Sequence, residues 1–293
     1  MSAIALDARE IASLSLQTTH TEIQLGSTEH RIRLVSEWDI APGSRVLEVG
    51  CGQGDTTAIL ATAVGPAGHV TALDPASLDY GAPFTLGQAQ AHLSSGPLGP
   101  RITWVQTDPI SFARAAEEAA EPKYDVAVMA LSLWYFSSPA QVRETLRALA
   151  GRARRVCIAE YALSATDPAA VPHVLAALTQ SALEAHKPTS TTNVRTVLSP
   201  VRIKALAAEV GLELVKEEIV VPVRGMFDGL WETNEVKKKS FEEEIVQTIA
   251  DEKQRSVALA LRDAMEASLK QIKDKDLKIL TMDIWVGSFT APE

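Results

Sequence analysis

The sequence has few cysteines, no long apolar run and no excess of positive charge. Only Cys51 and Cys157 occur among 293 residues, which excludes a multi-disulfide framework, and their spacing is not a zinc pattern. No apolar stretch of about 18 residues exists, so we expect no membrane span. The formal net charge is −9 without a basic patch, which argues against a nucleic-acid partner.

What remains is ordinary for a soluble globular protein, with 46% hydrophobic and 22% charged residues. The length allows one large domain or two small ones. The first ten residues include Asp7, Arg9 and Glu10, so they lack the apolar core of a signal peptide. We therefore expect a cytoplasmic protein, monomeric or homodimeric, with no metal and no membrane partner.

Strand-like and helix-like segments alternate along the chain. Strands are predicted over 45–50, 69–74, 102–106, 124–131, 155–160, 212–221 and 277–289. Helices are predicted over 29–38, 56–64, 110–120, 139–151, 168–186 and 199–210. This alternation predicts an α/β fold with a doubly wound sheet, which binds ligands at the carboxyl ends of its strands.

Two segments exceed what such a sheet needs, and we interpret them as helical cap insertions at about 165–198 and 225–275 of a domain spanning 29–293. Within 232–275 an apolar stripe predicts one amphipathic helix or a broken pair. The stripe comprises Phe241, Ile245, Ile249, Val257, Leu261, Met265, Leu269 and Ile272. It either packs on the core or covers the site. Residues 1–28 form a weakly patterned N-terminal segment that could act as a lid.

The most informative segment joins the first predicted strand to the helix after it. Three glycines, Gly50, Gly52 and Gly54, alternate there behind Glu48, and such glycines let a ligand approach the backbone closely. A nicotinamide or flavin fingerprint needs its third glycine at position 55, which is Asp. The next strand ends at Asp74, where an acid can bind a ribose diol.

The E-x-G-x-G-x-G spacing resembles that of class I S-adenosylmethionine-dependent methyltransferases. Residues 104–108 look like the third motif of that family and 124–134 like the fourth, and the similarity covers about 30–222. The resemblance implies a Rossmann-like sheet of seven mostly parallel strands with an antiparallel last strand. It also implies S-adenosylmethionine as methyl donor, with S-adenosylhomocysteine as product.

The resemblance also assigns roles on the cofactor side. Gly50 and Gly52 would let the backbone reach the cofactor, Glu48 would orient its amino group, and Asp74 would accept the ribose hydroxyls. Asp108 would accept a hydrogen bond from the adenine amino group, and the main-chain carbonyl of Leu131 would contact the ammonium group of the cofactor. The complete expected set is Glu48, Gly50, Cys51, Gly52, Gln53, Asp74, Thr107, Asp108 and Leu131. Alternative interpretations make Cys51 a buried filler, Gly54 a packing glycine and Asp108 a helix cap.

The acceptor side is less well marked. The segment after the fourth predicted strand lacks the [DN]-P-P-[YF] motif of enzymes that methylate bases or amides, and many small-molecule relatives have histidines where Trp134 and Tyr135 stand. Our catalytic candidates are His173, Glu160 and Tyr135. His173 is expected on the side of its helix opposite Val171, Val174 and Leu178. Further candidate bases are His20, His30 and His186, and candidate carboxylate binders are Arg195 and Arg224.

The function predicted from these features is methylation of a small-molecule acceptor at oxygen, nitrogen or carbon, in secondary metabolism. Two alternatives stay open at this stage. One is a methyltransferase-like protein that binds the cofactor without transferring a methyl group. The other is an NAD(P)-dependent oxidoreductase, which shares the strand, the glycine loop and the following acid.

Overall fold

The computed structural model describes residues 4–16, 21–275 and 277–291, and a seven-stranded sheet forms its centre. The strands are β1 (Arg45–Val49), β2 (His69–Leu73), β3 (Ile102–Val105), β4 (Tyr124–Ala130), β5 (Ala153–Tyr161), β6 (Glu213–Val220) and β7 (Ile284–Thr290). Their order is β3-β2-β1-β4-β5-β7-β6. Strands β1 to β5 pair in parallel, and β7 runs antiparallel to both β5 and β6.

This topology confirms the predicted α/β fold with a mostly parallel sheet. Strand order reverses between β1 and β4, which pair directly with Val46 opposite Val126. Such a reversal opens a crevice beyond the carboxyl ends of the two strands. The glycine loop after β1 and the segment after β4 therefore flank the same crevice.

The described residues also form eleven α-helices. They are α1 (Ala8–Ala12), α2 (Thr21–Ser36), α3 (Asp55–Val64), α4 (Leu86–Ser95), α5 (Pro109–Glu118), α6 (Pro139–Arg152), α7 (Val171–Glu184), α8 (Pro200–Glu209), α9 (Asp228–Val236), α10 (Lys239–Thr248) and α11 (Glu252–Asp274). None of these helices combines the length and the apolarity needed to cross a membrane.

Two of these helices differ from the sequence prediction at the N-terminal and cofactor sides. Helix α2 begins eight residues before the predicted start at position 29. Helix α4 was not predicted, although Thr85 and Gln88 form a reciprocal capping box at its start. That box is a sequence-readable signal for a helix N-terminus.

The predicted final strand is wrong over 277–283. Only Ile284–Thr290 joins the sheet, because the residues before it interact with the first cap insertion. The Asp283 carboxylate accepts hydrogen bonds from the Ser164 hydroxyl at 3.1 Å and from the Thr166 N–H at 2.9 Å. The Met282 N–H donates to Nδ1 of His173 at 3.1 Å. These bonds fix the first cap insertion to the last strand.

The segment predicted as the second cap insertion contains three helices, α9, α10 and α11, where one helix or a broken pair was expected over 232–275, and its stripe is only partly as predicted. Phe241, Ile245, Ile249 and Met265 are buried and cluster with α7, whereas Val257 is 57% exposed. The chain turns between α10 and α11, and Asp251 caps the new helix. This turn resets the helical phase, so that Ala258 faces inward in place of Val257.

Candidate functional site

The glycine loop lies between β1 and α3 and has a left-handed backbone at each of its glycines. The N–H groups of Gly50 and Cys51 donate to the Leu73 carbonyl at 2.8 and 3.1 Å, which fixes the loop against the end of β2. A Cβ on Gly50 would lie 2.6 Å from the Cβ of Ser132. At Gly52 φ is +52°, and a Cβ would meet no described atom within 4 Å. The loop is thus packed from behind and open at Gly52.

Asp74 joins this loop to the second strand. Its Oδ2 accepts the Gly52 N–H at 2.8 Å, and its Oδ1 accepts the Ala76 N–H at 2.9 Å. A carboxylate oxygen can accept a second hydrogen bond, so both oxygens retain capacity for donors of a ligand. Beside it lies a small cleft whose lining includes Asp74, Ala76, Val105 and Gln106.

Two amides from neighbouring segments brace the loop. The Gln90 Nε2 donates to the Gly52 carbonyl at 2.9 Å, and the Gln53 Nε2 donates to the Phe84 carbonyl at 2.6 Å. Gln90 lies on α4, so the sequence analysis missed it together with that helix. The predicted residue Gln53 points its amide away from Gly52 toward Phe84 and supports the loop from that side.

Glu48 is nearly inaccessible beneath the loop. Its Oε2 accepts the Thr57 hydroxyl at 2.6 Å, which links β1 to α3. Burial raises the pKa of Glu48 to about 7, against the lowering effect of that hydrogen bond. Cys51 is buried next to it, and burial raises the pKa of its thiol far above the ordinary value. A neutral buried thiol is a packing group and not a nucleophile.

Three further predicted residues follow the carboxyl ends of β3 and β4. Asp108 caps α5, because its Oδ1 accepts the N–H groups of Ile110 and Ser111, and these bonds lower its pKa. Its neighbour Thr107 is half-buried. Leu131 has a φ of +55° directly after β4, and its N–H donates to the Ala159 carbonyl at 2.8 Å. Such a backbone is uncommon for leucine and is concentrated at functional turns.

The ends of β4 and β5 are connected by Glu160, which is fully buried. Its Oε2 accepts the Leu133 N–H at 2.8 Å and its Oε1 accepts the Tyr161 N–H at 2.9 Å. Burial raises the pKa of Glu160 to about 7, although both hydrogen bonds lower it. The carboxylate therefore shapes the turn that carries Trp134 and Tyr135.

An aromatic cluster covers this turn and brings His173 next to it. The ring of Tyr161 lies 4.3 Å from that of Trp134 and 5.2 Å from that of His173, measured between centroids. Trp134 and Tyr161 are buried, whereas Tyr135 is 47% exposed at the rim. His173 lies on the buried side of α7, whereas Val171 on the opposite side is exposed.

The hydrogen bond of His173 decides its tautomer. Because Nδ1 accepts the Met282 N–H, a neutral ring carries its proton on Nε2. Burial lowers the pKa of His173 to about 3, so the ring is neutral near physiological pH. In this arrangement His173 has no free lone pair for accepting a proton.

Of the other candidates, Arg195 touches this cluster through its backbone, because its N–H donates to the Trp134 carbonyl at 2.8 Å. His30 is buried on α2, and burial lowers its pKa to about 3. His186 follows α7 and is half-buried, and His20 lies outside the described residues. The Arg195 Nε donates to the Thr192 carbonyl at 2.7 Å, and Arg224 is exposed.

Two acids of α9 were not predicted from the sequence. Asp228 lies close enough to Tyr161 for its charge to raise the pKa of that phenol, which burial raises most, and Glu232 accepts the Gln180 Nε2 at 2.7 Å. The two acids are four residues apart on one helix, a spacing that places them on the same face. The four-residue spacing is visible in the sequence, but the element that this face of α9 packs against is not.

Residues 24–217 match the profile of a family described as a methyltransferase domain. The chain belongs to this methyltransferase family. Two proteins of Diaporthe leptostromiformis, Methyltransferase phomM' and Methyltransferase phomM, are 28% and 27% identical over 276 and 277 residues, which is 82% of this chain and 71% of each relative. A crystal structure of a cyclopropane-fatty-acyl-phospholipid synthase-like protein from Lactobacillus casei is 30% identical, with a TM-score of 0.80 over 97% of this chain and 98% of that one.

Family membership decides between the two cofactor interpretations. The protein is an S-adenosylmethionine-dependent methyltransferase, and the nicotinamide-dinucleotide alternative no longer stands. The site fits this cofactor, because space is open at Gly52 and both oxygens of Asp74 retain acceptor capacity. Among the residues that the structure covers, no group of three or more His, Cys, Asp or Glu side chains could hold a metal ion.

Proposed function

We propose that this methyltransferase methylates a small-molecule acceptor of secondary metabolism at the ends of β4 and β5, beneath α7 and α9. The bound cofactor supplies an electrophilic methyl group on a sulfonium. The observation that carries the proposal is the contact of the aromatic cluster with the cap, in which His173 of α7 packs on Trp134 and Tyr161. This cluster forms an apolar wall next to the cofactor crevice. We also propose a cytoplasmic location and a monomer or homodimer.

On the cofactor side we propose individual roles for the loop and its acids. Gly52 lets the cofactor approach the backbone, and Asp74 accepts the two ribose hydroxyls with its remaining lone pairs. The carbonyl of Leu131 faces the cofactor ammonium, and Glu48 stabilises that charge from beneath the loop. Oδ1 of Asp108 accepts the N–H groups that cap α5, so Oδ2 is the oxygen that accepts the hydrogen bond from the adenine amino group.

On the acceptor side we propose positioning in place of proton abstraction by His173. Methyl transfer is an in-line displacement, so alignment of the acceptor and exclusion of water contribute most. His173 forms part of a buried wall, where its Nδ1 accepts the Met282 N–H. Both carboxylate oxygens of Glu160 accept hydrogen bonds from backbone N–H groups. Tyr135 is the catalytic candidate whose side chain is open enough to touch an acceptor.

The N-terminal segment and the cap together form the proposed cover. Helix α2 contacts the cofactor side, where the Gln24 Nε2 donates to the Asp55 carboxylate at 2.9 Å. The same helix contacts the cap side, since a Cβ on Gly26 would lie 2.7 Å from the Gly225 carbonyl oxygen. A helix held at both places is suited to close the crevice when the cofactor binds.

Transfer of a labelled methyl group tests the proposal. Purified protein is incubated with methyl-labelled S-adenosylmethionine and a library of small alcohols, amines and carbon acids, and labelled products are identified by mass spectrometry. Labelled small-molecule product that depends on Asp74 supports the proposal. Tight S-adenosylhomocysteine binding together with labelling only of protein or nucleic acid would overturn the small-molecule acceptor.

A further inference from the structure

Helix α9 presents two carboxylates to the acceptor side of the crevice. Burial raises the pKa values of Tyr135 and Tyr161, and the charges of three nearby acids raise them further. These acids are Asp228, Glu232 and Glu160. Glu160 is occupied by two backbone N–H groups, so Asp228 and Glu232 are the two that a ligand can reach. Both are half-buried, in contrast to the exposed Glu235 on the same helix.

These two carboxylates lack a cationic partner in the part of the chain that the structure describes. Glu232 accepts a hydrogen bond from the neutral amide of Gln180, and Asp228 lies near the neutral phenol of Tyr161. Burial raises the pKa of Glu232, and the like charge of Asp228 raises it further. Two half-buried like charges without a counter-ion destabilise each other, and a bound cation removes that cost.

The wall beside the acids carries a second, independent feature. Nε1 of Trp134 and Nε2 of His173 are both fully buried and have no hydrogen-bond partner among the described residues. Because Nδ1 of His173 is an acceptor, its Nε2 carries the proton, and both atoms are donors. An unpaired buried donor is costly, so these two point to a ligand that brings an oxygen acceptor.

Two tyrosines near the acceptor side are accessible to solvent. Tyr135 and Tyr80 are 47% and 48% exposed, and the Tyr80 hydroxyl donates to the Asn193 side chain at 2.8 Å. This bond joins the cofactor half of the molecule to the first cap insertion. The rim is therefore aromatic and accessible, while the acids lie deeper on α9.

We propose that the methyl acceptor is a protonatable amine with a neighbouring hydrogen-bond-accepting oxygen, bound with its nitrogen toward Asp228 and Glu232 and its oxygen toward Trp134. The inference rests on the proposed function and narrows its acceptor class from oxygen, nitrogen or carbon to nitrogen. Aromatic faces and carboxylates together are what recognises alkylammonium groups in proteins.

The transfer step balances without any further reactant. A primary or secondary ammonium first gives a proton to one of the two carboxylates. The lone pair of the neutral amine then forms the new nitrogen–carbon bond, while the methyl–sulfur bond breaks and its electron pair stays on sulfur. The product is a protonated, methylated amine and a neutral thioether.

Binding of two matched probes to the protein saturated with S-adenosylhomocysteine tests the inference. L-phenylalaninamide carries the amine and the carbonyl, and L-3-phenyllactamide replaces only the amine by a hydroxyl. We expect titration calorimetry to show at least about tenfold tighter binding of the amine. In Asp228→Asn combined with Glu232→Gln this preference should vanish. Glu243→Gln, an exposed acid of α10 paired with Lys239, is the matched control and should retain it.

The outcomes separate the inference from the function on which it rests. Equal affinity for the two probes, tighter binding of the hydroxyl analogue, or no measurable binding of the amine would overturn the amine acceptor. A preference for the amine that survives in the double variant would overturn the role of the two acids. Failure of the wild type to bind S-adenosylhomocysteine would instead contradict the cofactor site itself.

Discussion

The cofactor half and the acceptor half of the crevice are built in different ways. On the cofactor side, backbone groups of one loop bond directly to Leu73 and Asp74 at the end of the adjacent strand. On the acceptor side, the walls come from β4, β5, α7 and α9, which are far apart in the chain. A site made from one strand–loop–helix unit is fixed by local geometry. A site made from four elements depends on how the cap packs.

The largest effect is expected from Gly52→Val, which acts on the cofactor half alone. The new methyl groups occupy the open space above the loop, and valine resists a positive φ, so S-adenosylhomocysteine affinity should fall by more than about 100-fold. Titration calorimetry measures the loss, and circular dichroism checks the fold. Gly43→Val is the matched control, because Gly43 also has a positive φ with open space around it but lies in a distant turn. Equal loss of affinity in both variants would show a general effect of backbone strain.

A second large effect is expected from Ile245→Ala, which acts on the cap alone. Ile245 is fully buried in the cluster of α7, α10 and α11, so its truncation should cost about 2–5 kcal/mol of unfolding free energy. Urea denaturation measures this loss. S-adenosylhomocysteine affinity should stay within about twofold at temperatures where the variant is folded. The neighbouring substitution Val246→Ala, at a position 52% exposed, should leave both quantities unchanged.

If Ile245→Ala weakened cofactor binding in proportion to its loss of stability, the two halves would form one cooperative unit. The cofactor half and the acceptor half would then not be independent of each other. Unchanged stability would contradict the buried cluster itself.

A more gradual effect is expected from Glu48 in the cofactor half, as a dependence of stability on pH. Burial raises its pKa to about 7, so the folded state binds this proton more tightly than the unfolded chain does. The stabilisation is therefore present at low pH and is lost as pH rises through about 7, by up to about 3 kcal/mol. Glu48→Gln retains an acceptor for Thr57 and removes the titration.

Denaturation at pH 5, 6, 7 and 8 should show Glu48→Gln losing less stability than the wild type as pH rises. Some slope should remain in the variant, because burial raises the pKa of Glu160 in the same direction. Parallel stability curves for the two proteins would show that Glu48 does not titrate in this range.

The difference between the halves also explains what could be predicted from the sequence. The strand, the alternating glycines and Asp74 follow each other within one local unit, so their pattern predicted the fold and the cofactor. Gln90 was not predicted because its role depends on where α4 packs. Asp228 and Glu232 were not predicted because the sequence does not show which surface α9 faces. Val257 was misassigned because the turn at Ile249–Asp251 breaks a periodicity that looked continuous.

His173 illustrates the same limit on the acceptor side. The sequence marks it as a candidate base, but its hydrogen bond to Met282 comes from a segment more than a hundred residues away. That bond sets the tautomer and leaves Nε2 as a donor. Only the packed structure could show that the ring serves as a wall.

Calorimetric titration of S-adenosylhomocysteine into the wild type and Asp74→Ala tests most directly whether the loop and the end of β2 form the cofactor site. The substitution removes the acceptor of the Gly52 N–H and the proposed acceptor of both ribose hydroxyls, and leaving such groups unpaired costs about 1–3 kcal/mol. The account predicts at least about tenfold weaker binding by Asp74→Ala, with the fold retained by circular dichroism. Equal affinity of the two proteins would contradict it.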